Sequence, residues 1–317
     1  MPLLSFLRAA ALLLCLGNFF GCSPSPVAAT KPAPPTDPTA PGMVWRVSGG
    51  KVPFFLAGSF HLLRPADYPL PSPYEAAWRQ TSHLVLEIAP DDSARPETQL
   101  GLKSLIALPS GTLQDRLSTA TWQSLATWAE RTQTPLATLQ SQPPWLAALS
   151  IAVARSRQLG FRSDQGLETY FAARLPNSGK TVEGLETVLG QMTLFTQLPA
   201  PTQEALLRQS LAEADQLAEK TDRLIQAWRA GDAPSLHAAL AESFQNFPEL
   251  QKLLLDDRNA AWIPRLEALL QGDRPTLVLV GAGHLCGPGS LIELLHAKGY
   301  RCEPLPAEAA LPSPKAA

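Results

Sequence analysis

Cysteine is scarce in this chain, with four among 317 residues. Cys15 and Cys22 fall in the first 22 positions, which leaves Cys286 and Cys302, too few for a disulfide framework. Those two can pair or remain as free thiols. An excess of either charge is also missing: 26 Lys and Arg stand against 28 Asp and Glu, a net of −2. The basic residues are scattered, which excludes the clustered cationic face that nucleic-acid binding needs. No H-E-x-x-H segment occurs, so there is no local metal signature and any ligands are dispersed along the chain. No repeat is visible beyond one pair of short glycine-histidine turns. Long apolar runs are confined to the amino terminus.

What the chain has in plenty is proline, 31 residues, many of them in the first 75 and in the tail. Residues 1–22 hold one basic residue, Arg8, then Ala9-Ala10-Ala11-Leu12-Leu13-Leu14-Cys15-Leu16, and end at Phe19-Phe20-Gly21-Cys22. This is too short for a membrane span of ~20 apolar residues and has the layout of a secretory signal. Its end is lipobox-like, with Cys22 as the acyl acceptor and hence the membrane anchor. Residues 23–42 carry seven prolines and no apolar periodicity, the composition of an extended tether. The expectation is an exported lipoprotein facing the periplasm, with a folded domain over 43–306 and a disordered tail over 307–317.

Within the domain, Met43–Val47 and Val52–Ala57 flank Gly49-Gly50 and predict a β-hairpin. His83–Ile88 predicts a buried strand with Glu87 near its carboxyl end. The middle is helical, followed by a short strand over Thr181–Glu183, with Glu186 opening the next helix, where the helix dipole favours an acid. Thr202–Trp228 shows one amphipathic stripe. Pro264 either kinks a helix or starts one. Leu277–Val280, a glycine loop, the helix 291–298 and Tyr300–Leu305 make a βαβ ending.

Two segments share a spelling, each after an apolar strand: Gly58-Ser59-Phe60-His61 and Gly281-Ala282-Gly283-His284. Open α/β sheets put their ligand sites beyond the carboxyl ends of strands. If these two strands are neighbours, both histidines emerge at one edge. With Glu87 and Glu186 they form a set of imidazoles and carboxylates that suits Zn²⁺, Mn²⁺, Co²⁺ or Fe²⁺ and the activation of water. The glycines would let the backbone turn and approach a substrate. A dinucleotide site at Gly281-Ala282-Gly283 is disfavoured, because Cys286 stands where the third glycine belongs and only 14 residues follow Glu303. His83, His237 and His296 have ordinary structural explanations.

The runs Phe55–His61, Tyr68-Pro69-Leu70-Pro71, Leu84–Glu87, Gly184-Leu185-Glu186-Thr187, Leu254–Asn259 and Val280–Leu285 with Gly287-Pro288-Gly289 occur in this order in the TraB/GumN family, which the chain resembles over residues 43–305. The resemblance extends to the Tiki proteins, to the erythromycin esterases and to ChaN, a haem-binding lipoprotein. It implies an α/β fold with a central mixed β-sheet, flanking helices and a helical insertion. It also implies a divalent metal, Zn, Mn or Co, on His61, His284, Glu186 and Glu87, with Glu87, Arg258 and Asn259 serving catalysis or substrate contact. The activity implied is metal-dependent hydrolysis of a peptide or protein in the envelope. The ChaN likeness implies a second reading, a non-catalytic lipoprotein that binds haem or another ligand. Two positions depart from the family pattern: Cys286, where many members have proline, and Gly166-Leu167-Glu168, where an aspartate often follows.

Overall fold

The computed structural model describes residues 37–307. The expected signal segment with Cys22, residues 23–36 of the expected tether, and residues 308–317 lie outside the described residues. Six strands form one mixed sheet in the order β4-β3-β5-β2-β1-β6. They are β1 (Val44–Ser48), β2 (Phe54–Ser59), β3 (His83–Ile88), β4 (Thr181–Glu186), β5 (Thr276–Gly281) and β6 (Arg301–Pro304). The four strands β4, β3, β5 and β2 run parallel, whereas β1 is antiparallel to both β2 and β6. Every residue of β2, β3 and β5 is buried. Their continuous apolar runs are what a sheet covered on both faces requires. The edge strand β6 is four residues long with Arg301 and Glu303 exposed, which blunts an open edge. The β1–β2 hairpin forms as its glycines predict, with Gly49 at φ +116°, a conformation that side chains avoid.

The helices are α1 (Ser72–Arg79), α2 (Pro96–Ile106), α3 (Thr119–Thr132), α4 (Pro144–Gln158), α5 (Leu167–Ala172), α6 (Val188–Thr196), α7 (Ala200–Glu213), α8 (Leu217–Arg229), α9 (Ala233–Phe244), α10 (Pro248–Gln251), α11 (Asp257–Gln271) and α12 (Leu291–Ala297). One hydrophobic cluster joins the sheet to α1, α5, α8, α11 and α12 through residues such as Tyr74, Phe171, Trp228, Leu266 and Leu291. A second lies among α2, α3, α4, α6 and α7 and reaches the sheet at Ile88, the last residue of β3. The seam between the clusters thus passes the carboxyl ends of β3 and β4. No helix among the described residues is long and apolar enough to cross a membrane.

Four local expectations need adjustment. The strand β4 runs on through Glu186, and α6 begins only at Val188, because the Thr187 side chain caps the backbone N–H of Gly190 at 3.1 Å. The stripe over Thr202–Trp228 is split between α7 and α8 by a 3₁₀ turn at Ala214–Gln216. Of the two roles expected for Pro264, a helix start is overturned, because the residue lies inside α11 at an exposed position. Residues 37–42, assigned to the tether, are held by the domain: Arg229 Nη2 donates to Asp37 O at 2.8 Å, and the Ser72 N–H to Pro38 O at 2.8 Å. Cys286 and Cys302 are free thiols, and burial pushes Cys286 up to about 12.

Candidate active site around Arg258

The two glycine-histidine turns do emerge side by side, since β2 and β5 are parallel neighbours with Ser59 opposite Gly281. Gly58 serves by close approach: a Cβ there would stand 3.1 Å from the Ala282 Cα, so its absence lets the two turns touch. Its carbonyl is fixed from behind by the Tyr74 hydroxyl at 2.5 Å and the Trp228 indole N–H at 2.8 Å. Neither Gly58 nor Gly281 takes a positive φ, so the expected sharp glycine turn is not how these residues act.

Glu87, next to last in β3, is 1% exposed, and its Oε1 accepts the backbone N–H of Gly281 at 2.7 Å. Its Oε2 accepts Arg258 Nη2 at 2.5 Å and Gln191 Nε2 at 3.0 Å. Glu186, at the end of the adjacent strand, repeats this pairing through Oε1, with Arg258 Nη2 at 2.5 Å and Gln191 Nε2 at 2.6 Å. Two donors therefore bridge the same two carboxylates. Arg258 comes from the first turn of α11, just after a π-helical stretch at Lys252–Asp256. Its Nη1 donates to Leu254 O at 2.8 Å and lies 3.2 Å from Nε2 of His284. One turn later the Trp262 ring faces the guanidinium, its centroid 4.7 Å from Cζ. The Asn259 amide oxygen sits 2.6 Å from Nδ1 of His284, and its nitrogen donates to Gly289 O. That contact puts the His284 proton on Nδ1 and leaves Nε2 as acceptor toward Arg258.

His61 has a different partner. Oε1 of Glu168, in the first turn of α5, is 2.9 Å from Nδ1 of His61, and Ser59 Oγ donates to the same carboxylate oxygen. The approach is close because residue 166 is glycine: a Cβ there would meet the His61 carbonyl oxygen at 2.2 Å. Nε2 of His61 is buried without a hydrogen-bond partner.

The charges divide accordingly. Burial alone would raise Glu87, but the Arg258 guanidinium, with smaller help from the His284 and His61 imidazoles and the Gly281 N–H, holds it down to about 2. Glu186 is raised, because burial outweighs the pull of Arg258 and the neighbouring Glu87 adds to the rise. His284 is lowered to about 3 by burial and by Arg258, so it is neutral. His61 is raised, since the charges of Glu168 and Glu87 overcome its burial. The side chains of Glu186 and Glu168 remain 19% and 15% exposed, whereas those of both histidines and of Glu87 are at most 3% exposed. Solvent meets the cluster at these two carboxylates. Behind His284 the space lined by Asn259, Gly283 and Cys286 holds only ≈ 10 Å³, about one water.

All six residues singled out in the sequence thus meet in one cluster: His61, His284, Glu87, Glu186, Arg258 and Asn259. The divalent metal implied by resemblance does not fit the donors as they stand. The point where Glu87, Glu186 and Nε2 of His284 converge is filled by the guanidinium of Arg258, already a cation. Among the described residues no group of three or more His, Cys, Asp or Glu is arranged to hold a metal ion. Two members of the cluster were not singled out. Gln191 carries no chemical signature in sequence and reaches the site only because α6 folds back over β3 and β4. Glu168 had one signal, the departure at Gly166-Leu167-Glu168.

No curated protein and no solved structure matches the chain. The profile of the TraB/PrgY/gumN family matches residues 43–304, which spans all six strands and every residue of the cluster, and on that match the chain belongs to the TraB/PrgY/gumN family.

Proposed function

We propose that this protein is a hydrolase of the cell envelope that cleaves peptide bonds, with Glu186 as its general base. The observation that carries this reading is the split between two carboxylates on one guanidinium. Glu87 is buried and fully ionised beside Arg258, whereas Glu186 reaches solvent with its affinity for protons increased. Carboxylates whose environments push their proton affinities apart mark the division between fixed charge and proton carrier. Glu186 takes a proton from a water whose oxygen bonds to the scissile carbonyl carbon. The C–N bond then breaks, and the same proton passes to the leaving nitrogen. Arg258 keeps the charge balance through both steps, and His61, whose proton affinity Glu168 raises, stands beside the carboxylates. The substrate approaches from the side of Glu186 and Glu168. Export and an anchor on Cys22 would place this chemistry on envelope peptides.

The test is a peptide-library digest by the purified full chain, read by mass spectrometry, for wild type and Glu186→Gln, with absorbance recorded for haem. Cleavage by wild type and its loss in a folded Glu186→Gln variant support the assignment. A Soret band without any cleavage would instead favour the ligand-binding reading.

A further inference from the structure

The opposite edge of the sheet carries a second feature, unrelated to the Arg258 cluster. Here, at the amino ends of β3 and β4, an open cleft of ≈ 540 Å³ is lined by Trp78, Arg79, Arg174, Asn177, Ser178 and Lys180. Three of these side chains are cationic and none is acidic. Trp78, at the end of α1, organises them: Lys180 Nζ lies 4.7 Å from its ring centroid and Arg174 Cζ 5.0 Å from the same ring. Two cations on one indole are held near each other by the aromatic face. Arg174 spends a single nitrogen on its counterion, Nη1, which donates to Oε1 and Oε2 of Glu75 at 2.7 and 3.0 Å. The Tyr170 hydroxyl also donates to Glu75 at 2.7 Å, so this carboxylate is engaged away from the cleft. Lys180 donates to the carbonyl oxygen of Thr81, a neutral partner, and no carboxylate is paired with it among the described residues.

We propose that this cleft binds a phosphate group. Two cations held on one indole, with the Asn177 amide at the wall, match an oxyanion with several acceptor oxygens, and the planar fork of Arg174 suits phosphate in particular. Lys180 is also lowered, by burial and by the neighbouring charge of Arg174, so the two cations stand close enough to feel each other. The group can belong to a soluble phosphate or to a phospholipid head, and both present the same oxygens.

Titration of the full chain with inorganic phosphate at constant ionic strength, followed by amide ¹⁵N–¹H spectra, tests this. Saturable shifts confined to residues 78–82 and 173–181 are expected, with affinity about tenfold weaker in Lys180→Gln, which deletes one charge-assisted contact. Asn177→Asp, an exposed position that places a carboxylate on the wall, weakens binding without a folding risk. In a parallel arm, vesicles of phosphatidylcholine with and without phosphatidylglycerol identify the source. Retention that depends on phosphatidylglycerol and falls in both variants assigns a lipid head, whereas vesicle behaviour unchanged by the variants assigns a soluble phosphate. Absence of saturable shifts together with vesicle retention unaffected by either variant overturns the proposal. Peptide hydrolysis is not needed for any arm, so the outcome is independent of the function proposed above.

Discussion

Glu87 and Glu186, on adjacent parallel strands, share one nitrogen of Arg258, each carboxylate standing 2.5 Å from Nη2. The pairing makes Arg258 the hub of the cluster, and its removal strands a buried carboxylate. Arg258→Met is expected to cost about 3–5 kcal/mol, the usual penalty for breaking a buried ion pair from one side. Urea unfolding of the variant checks it, with Glu87→Gln in the same background restoring part of the loss. A cost within about 0.5 kcal/mol would mean that the guanidinium is peripheral.

Acid sensitivity has a defined onset. Glu87 binds its proton less readily in the folded chain, so its contribution, about 3 kcal/mol, is whole above pH 4.5 and is lost as pH falls toward about 2. His284 is likewise depressed, from 6.5 to about 3, so its contribution begins to fall near pH 6.5. His61 is raised and acts in the other direction: its contribution is present below pH 6.5 and is lost as pH rises through its folded value. Urea midpoints should therefore decline from near pH 6.5, and His284→Asn should flatten the curve between pH 6.5 and 4.5. A wild-type curve that stays level until pH 4.5 would contradict a neutral, buried His284.

Glu168 raises the proton affinity of His61. In Glu168→Gln the largest favourable charge near the ring is removed, and the titration of His61, followed by its ring ¹H–¹³C signals, should move from above 6.5 to below it. An unmoved titration would show that Glu87 alone sets the charge of His61.

Gly166→Ala tests the same contact through the backbone. The new Cβ would collide with the His61 carbonyl oxygen, so α5 must retreat, at a cost of about 1–3 kcal/mol for overpacking. The His61–Glu168 contact should lengthen, and His61 should titrate as it does in Glu168→Gln. Thermal unfolding combined with that titration separates this outcome from a harmless substitution.

Much of the site was legible in the sequence because apolar runs locate the strands, and a histidine a fixed distance after each run needs only adjacency to meet its twin. Glu87 was legible for the same reason, lying at the end of a buried strand. Glu186 was found but placed on the wrong element, since an acid just ahead of a helix satisfies the dipole whether it ends a strand or begins the helix. Glu168 and Gln191 come from helices in the long excursions, and helical periodicity tells which face is buried without telling what it is buried against. The central role of Arg258 was hidden for a similar reason: a lone arginine in a helix gives no sign that two carboxylates from different strands will converge on it.

The claim that a side-chain cation fills the centre of the site is tested most directly by metal analysis. Elemental mass spectrometry on the purified full chain, with His61→Ala and His284→Ala beside it, is predicted to find no stoichiometric transition metal in any of the three. Chelation should leave the wild-type unfolding temperature unchanged. One equivalent of metal in wild type, lost in both variants, would contradict the account, because Arg258 would then have to leave the point where Glu87, Glu186 and His284 converge.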